Sequence, residues 1–250
     1  MGKYEQFKQE CAVEIATQGS DASLLKMSSD WINHANSHKY SYHFEWMGRP
    51  IIQYPQDILA IQEILWAVKP DLIVETGVAH GGSLILSASL LELNAACGGP
   101  QDAEVLGIDI DIRAHNREAI EKHPMFKRIT LLQGSSVDEG TAENVRKFAQ
   151  GKQRVLVILD SNHTHEHVLR ELELYSSLIK AGSYLVVFDT VIEDMPDELF
   201  PDRPWGKGDN PKTAVWQFLK SNDRFVIDRQ MQDKLLITVA PDGFLKCVKD

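Results

Sequence analysis

Cysteine is scarce in this chain of 250 residues. Cys11, Cys97 and Cys247 are isolated, odd in number and without CxxC spacing. They offer neither a disulfide framework nor a cysteine zinc site and read as reduced thiols of a cytosolic protein. No apolar run reaches the roughly 18–20 residues that span a bilayer, so no membrane span is expected. The opening stretch, MGKYEQFKQECAVEIATQ, is too polar for a secretory signal, and Phe7 breaks the myristoylation pattern that Met1-Gly2 would begin. Positive charge is also in deficit. Lys and Arg number 26 against 36 acids, a formal net charge of −10, which argues against nucleic acid as a partner. Two phosphate signatures are missing as well. Gly77 is followed by Val78-Ala79 where a nicotinamide fingerprint needs G-x-G, and Gly82 by Ser83 where a P-loop needs Lys.

What is present centres on Asp71–Leu93, DLIVETGVAHGGSLILSASLLEL. An apolar run ends on Glu75, a glycine-rich turn follows, and Leu84, Leu86, Ala88 and Leu91 then recur at helical spacing. That is strand, turn and helix. Glycines let the backbone turn and approach a ligand closely, and the helix N-terminus offers unpaired N–H groups. Such a loop can hold a dinucleotide, a phosphate or the methionine part of S-adenosylmethionine. An acid at the strand end with a Gly-x-x-x-Gly-Gly turn suits the last best.

Residues 1–54 read as an extension of two helices, the first carrying Tyr4, Phe7, Cys11 and Ile15 on one side and the second covering Leu24–Ala35. An aromatic stretch follows, from which Tyr42, Trp46 and Tyr54 are candidates for an acceptor pocket. The N-terminal helices are a plausible surface for homo-oligomers. Residues 55–250 read as an α/β domain. Pro55 starts a helix; strands are expected at Val105–Asp109, Ile129–Leu132, Arg154–Asp160 and Ser183–Asp189, with helices between them. A Ser136-x-x-Glu139 capping box would open the helix before Arg154. Phe225–Asp228 and Leu235–Val239, joined by a short polar link, are expected to form an antiparallel pair. The fold class is therefore a Rossmann-like α/β sheet of seven strands, mostly parallel, with a terminal antiparallel pair and helices on both faces.

In an open sheet of this kind ligands bind beyond the carboxyl ends of the strands. Candidate cofactor residues there are Glu75, Gly77, Ala79, Gly81, Gly82 and Ser83 on the first strand and its turn. Asp109 (with Asp111 in reserve) is placed to accept from ribose hydroxyls, Ser135 and Ser136 to meet an adenine edge, and Asp160 to close the fourth strand. Asp160 and Asp189 end neighbouring strands. Two close carboxylates repel unless a cation lies between them, and hard oxygen ligands suit Mg²⁺. His163, three residues past Asp160, is the candidate base for an acceptor hydroxyl. The H-x-H-x-H run His163, His165, His167 leaves a zinc site open.

With these residues in view, the chain resembles the cephalosporin-hydroxylase-like family, whose members have the fold of S-adenosylmethionine- and Mg²⁺-dependent O-methyltransferases and include rhamnosyl O-methyltransferases. The resemblance runs from about Tyr42 to Ala240. It rests on Gln53-Tyr-Pro-Gln-Asp57, Glu75-Thr-Gly-Val-Ala-His-Gly-Gly-Ser83, Gly107-Ile-Asp-Ile-Asp111, Gln133-Gly-Ser-Ser136, Leu159-Asp-Ser-Asn-His163 and Gly208-Asp-Asn-Pro211. It implies methyl transfer from S-adenosylmethionine to a hydroxyl of a sugar, glycan or small natural product. It also implies a metal held by an aspartate after the fourth strand and an acidic pair after the fifth. Asp160 and Asp189 match two of those acids, Phe188 stands where the third belongs, and Thr190 or Glu193 are the candidates to compensate. In the related catechol-type enzymes the position of His163 carries a lysine base. The Pro- and Gly-rich segment Val191–Asn210 reads as a lid, with Trp205 and Arg203 set to grip a sugar face and an anionic group. Two other readings remain: a cofactor-binding helper subunit of a hydroxylase or methoxylation system, and a nicotinamide-dependent oxidoreductase.

Overall fold

The computed structural model describes residues 2–250. Two helices come first, α1 (Lys3–Gly19) and α2 (Ala22–Asn36), the latter capped by the Asp21 carboxylate on the Ser23 and Leu24 N–H groups. A short antiparallel hairpin, β1 (Phe44–Trp46) and β2 (Arg49–Ile51), leads to α3 (Pro55–Val68), where Pro55 sets the first helical turn. Strands and helices then alternate: β3 (Leu72–Thr76), α4 (Gly82–Ala96), β4 (Glu104–Asp109), α5 (Ala114–Glu121), β5 (Ile129–Gln133), α6 (Glu139–Phe148), β6 (Val155–Leu159), α7 (His165–Tyr175), β7 (Tyr184–Val187) and α8 (Pro211–Ser221). The chain closes with β8 (Phe225–Ile227), α9 (Arg229–Leu235) and β9 (Phe244–Cys247).

The main sheet has seven strands in the order β5-β4-β3-β6-β7-β9-β8. The first five are parallel, and β9 runs antiparallel to both of its neighbours. β3, β6 and β7 are buried along their whole lengths, which explains why they read as unbroken apolar runs. Alternate residues serve two separate cores. Ile73, Leu156 and Val186 pack with α3 and α4 on one face, while Val74, Val157 and Leu185 pack with α6, α7 and α8 on the other. Strand order reverses between β3 and β6, and that is where a crevice opens. Among the described residues, no helix is long and apolar enough to cross a membrane.

Two expectations are corrected. The last strand is Phe244–Cys247 and not Leu235–Val239. The Asp228 carboxylate caps α9 through the Met231 N–H at 3.1 Å, turning the expected link into a helix. Residues 236–239 follow it as a strap, half-buried at Leu236 and Ile237 and buried at Thr238 and Val239, whose apolar composition mimics a strand. The Ser136 capping box is also absent. Asp138 caps α6, accepting from the Thr141 N–H at 3.0 Å, while Ser136 is drawn inward.

Candidate active site

β3 delivers its chain to the crevice through a turn with positive φ at Gly77, Ala79 and Gly81. At Gly77 (φ 92°) a Cβ atom would come within 2.0 Å of the Asp160 carbonyl oxygen, so only glycine allows the turn to lie against the end of β6. The turn is clamped from several sides. Asp109 Oδ2 accepts from the Val78 N–H at 2.8 Å, and Asp109 Oδ1 from the Asp111 N–H at 3.0 Å. Arg49 Nε donates to the His80 carbonyl at 3.0 Å, and Asn116 Nδ2 to the Ala79 carbonyl at 2.8 Å. Glu75 lies beneath the turn, fully buried, with the Ser83 hydroxyl donating to it. Burial pushes its carboxyl up to about 7, against the lowering effect of the Ser83 and Ser87 hydroxyls. Gly82 packs against the β2 backbone, where a Cβ would sit 2.2 Å from the Pro50 carbonyl oxygen.

On the far side of the switch point, one atom each of Asp160, His163 and Asp189 converge to within 4.8 Å of one another. His163 Nε2 is 3.1 Å from Asp189 Oδ2, and Gln53 Nε2 donates to Asp160 Oδ2 at 3.2 Å. Burial holds the Asp160 carboxyl well above the ordinary carboxylate range, helped by the charges of Asp189 and Glu75. Asp189 itself has φ 56°, unusual for a residue with a side chain. The strap behind it explains how this conformation is held. The Thr190 hydroxyl donates to the Pro241 carbonyl at 2.6 Å and the Val191 N–H to the Val239 carbonyl at 3.2 Å. The strap is in turn tied to α3, because the buried Asp57 carboxyl accepts from the Thr238 hydroxyl and from the Val239 N–H at 3.0 Å. Burial raises Asp57 to about 7.

The three groups open into a cleft of about 670 Å³ that also contains Ala79, Tyr42, Arg113, Arg203 and Trp205. Its outer wall is the segment after β7, which forms two 3₁₀ turns (Thr190–Asp194 and Asp197–Leu199) before reaching Trp205. Trp205 meets the His163 ring edge-on at 4.8 Å.

The aromatic set divides. Tyr42 and Trp205 face the cleft, but Trp46 and Tyr54 do not. Trp46 donates from Nε1 to Ser89 Oγ at 3.0 Å and packs on the core. Tyr54 is wholly buried, edge-on to Trp31 and Tyr40, with its hydroxyl donating to Asn36 Oδ1 at 3.0 Å. The histidine run diverges, which removes the zinc alternative. His165 turns to Thr213 and Gln217 on α8, whereas His167 Nε2 lies 3.1 Å from Ser136 Oγ and 3.2 Å from Ser161 Oγ. Ser136 also accepts from the Tyr175 hydroxyl through its carbonyl, while Ser135 beside it is half-buried and does not line the cleft. Neither proposed compensator replaces the missing acid. Thr190 is bonded to Pro241, and the Glu193 carboxylate accepts from Gly208 N–H and Asn210 Nδ2, closing the lid on itself. Phe188 is buried in the core. Arg49, Asn116 and the Gln53–Asp57 pair are contributors that carried no assigned role in the sequence. Only the last pair lay in a recognisable motif, whereas a buried asparagine on a polar helix leaves no signal in a single sequence.

A family model described as Rhamnosyl O-methyltransferase/CmcI matches residues 38–248. The chain belongs to this family. The rhamnosyl O-methyltransferase of Mycobacterium tuberculosis (strain ATCC 25618 / H37Rv) is 30% identical over 203 residues, covering 80% of this chain and 76% of that protein. Its counterpart in Mycobacterium leprae (strain TN) is 30% identical over 152 residues, 60% of this chain and 62% of that one. Two solved structures share the fold. A CmcI structure with Mg and SAM has a TM-score of 0.57 at 22% identity, covering 83% of this chain and 77% of that one. An O-methyltransferase from Bacillus cereus with SAH has a TM-score of 0.51 at 14% identity, covering 92% of each.

Proposed function

We propose that this protein transfers the methyl group of S-adenosylmethionine to a hydroxyl of a sugar, a glycan end or a small natural product. The observation that carries the reading is the juxtaposition of a clamped left-handed glycine turn with Asp160, His163 and Asp189 across one crevice. Membership of the rhamnosyl O-methyltransferase/CmcI family supports it. The cofactor's place is along Gly77, Ala79, Gly81 and Gly82, with Asp109 or the exposed Asp111 toward its ribose and Ser135 toward its adenine, the buried Ser136 supporting that corner through His167 and Tyr175.

The acceptor hydroxyl oxygen attacks the sulfonium methyl carbon. The carbon–sulfur bond breaks, sulfur keeps the electron pair as S-adenosylhomocysteine, and the hydroxyl proton goes to His163. Asp189 at Nε2 favours the tautomer that leaves the Nδ1 lone pair free for that proton. The Asp160 and Asp189 carboxylate oxygens fit a divalent ion such as Mg²⁺ and would hold it with waters completing its shell, His163 staying outside as the base. Such an ion, when bound, lowers the pKa of an acceptor hydroxyl. The remaining polar groups of the site act by position, with Gln53 fixing Asp160 and the Asp57 strap fixing Asp189. Exposed Tyr4, Phe7 and Val13 on α1, a helix without a buried residue, support self-association through the N-terminal helices.

The test is calorimetric titration of S-adenosylhomocysteine with MgCl₂ and then with EDTA, followed by labelled methyl transfer to a panel of sugars and phenols. Binding and transfer by the protein alone are expected. Binding without transfer to any acceptor favours the helper subunit, and preference for NADH over S-adenosylhomocysteine sinks the methyltransferase reading.

A further inference from the structure

Ten arginines are distributed along the chain. Eight of them spend their guanidinium groups on carboxylates, carbonyls or amides: Arg49, Arg117, Arg128, Arg146, Arg154, Arg170, Arg224 and Arg229. Among the described residues, Arg113 and Arg203 have no side-chain hydrogen bond or ion pair, and both line the cleft that holds Asp160, His163 and Asp189. Arg203 is not adrift. Its guanidinium carbon lies 5.2 Å from the Trp205 ring centroid, and that ring stands 4.8 Å from the His163 ring, so the guanidinium lies within about 10 Å of the base. In a protein of net charge −10, two unneutralised cations in the one cleft that carries the reacting groups are a selective feature of that cleft.

We propose that the acceptor is an anion, a sugar or small natural product bearing a carboxylate or phosphate, which Arg203 holds one ring away from the hydroxyl to be methylated. The inference rests on the methyltransferase reading and narrows its substrate class. A planar guanidinium grips carboxylate and phosphate oxygens bidentately, and stacking on Trp205 restricts its rotamers before the acceptor arrives. Trp205 offers its remaining surface to the sugar ring, and His163 lies at the end of that ring where the hydroxyl must be. Arg113, which lines the same cleft, adds positive potential without direct contact.

The test uses the full chain saturated with S-adenosylhomocysteine and follows tryptophan fluorescence, with Trp205→Phe identifying the reporting residue. Glucuronate, glucose 1-phosphate and neutral methyl glucoside are titrated in turn. The expected result is a saturable Trp205 signal with at least one anion, binding about tenfold or more tighter than the glucoside. That preference should be lost in Arg203→Ala and partly kept in Arg203→Lys. Whichever anion binds tighter identifies the carboxylate or the phosphate as the source. Equal binding of all three sugars, absence of a saturable response to either anion, or an unchanged preference in Arg203→Ala overturns the inference. Failure of S-adenosylhomocysteine itself to bind is a separate outcome and counts against the methyltransferase reading instead.

Discussion

The two banks of the crevice are built on opposite plans. On the β3–β4 bank, the surface turned to the crevice is backbone. The glycine turn is held by Asp109, Arg49 and Asn116 and has no room for a side chain at Gly77 or Gly82. On the β6–β7 bank, side chains face the crevice, and the outer wall is an irregular segment closed mainly by its own bonds, as at Glu193 with Gly208 and Asn210. A bank whose backbone packs directly against backbone, as at Gly77 and Gly82, tolerates almost no change. A bank that presents side chains on a loop can change its acceptor without disturbing the first.

The comparison breaks most sharply at Gly77. Gly77→Ala places a methyl group against the Asp160 carbonyl and demands φ 92° of an alanine. Strain and overpacking together are expected to cost about 2–6 kcal/mol. Binding of S-adenosylhomocysteine should disappear from calorimetry while the far sheet edge keeps its fold. Retained binding with an unchanged melting temperature would refute the view that this turn is fixed by close approach.

On the opposite bank His163→Gln should do the reverse. The kcat is expected to fall about 10²–10⁴-fold, with the affinity for S-adenosylhomocysteine unchanged within a factor of about two. A loss of cofactor affinity comparable with the loss in kcat would show that the two banks are not separable.

Legibility in the sequence followed the same division. β3, β6 and β7 are buried on both faces and announce themselves as apolar runs, so the sheet and the residues at its carboxyl ends were readable directly. Asp160, His163 and Asp189 needed no contact information, only strand ends that neighbour one another. The aromatic stretch was less readable, because composition does not say which way a ring points. Tyr42 reached the cleft, while Tyr54 was drawn into the core by Trp31, Tyr40 and Asn36. Residues 235–239 have the composition of a strand, but Asp57 and Val191 claim the Thr238 hydroxyl and the Val239 N–H and carbonyl from outside the ladder. Besides Asp109 of β4, the clamps on the glycine turn come from β2 and α5, and no local pattern links Arg49 or Asn116 to residues 79–80.

Stability against pH gives a finer probe of the backbone-lined bank. Burial raises the Glu75 carboxyl from 4.5 to about 7 and Asp57 from 3.8 to about 7. Between those values the folded chain binds more protons than the unfolded chain, so unfolding free energy falls as pH rises through that window. Glu75→Gln should flatten the profile by on the order of 2–3 kcal/mol between pH 4.5 and 7, measured by urea unfolding across that range. A profile that instead rises with pH, or that is identical in the variant, would mean that Glu75 is solvated or paired with a cation beneath the turn.

The smallest effects are expected farthest from the crevice, on α1. None of its residues lines the cleft, and its main polar tie to the rest of the chain is Gln18 Nε2 donating to the Asp233 carbonyl at 2.6 Å. Tyr4 and Phe7 project into solvent in the single chain, so changing both to Ser should leave the monomer's stability within about 0.5 kcal/mol and the kcat unaltered. If these rings are the self-association surface, light scattering should show the wild-type mass above that of one chain and the double variant at or near it. A variant that keeps the wild-type mass places the oligomer contact elsewhere. A variant that lowers kcat at saturating acceptor would show that α1 reaches the lid through α2, coupling the outermost helix to the bank where the acceptor is chosen.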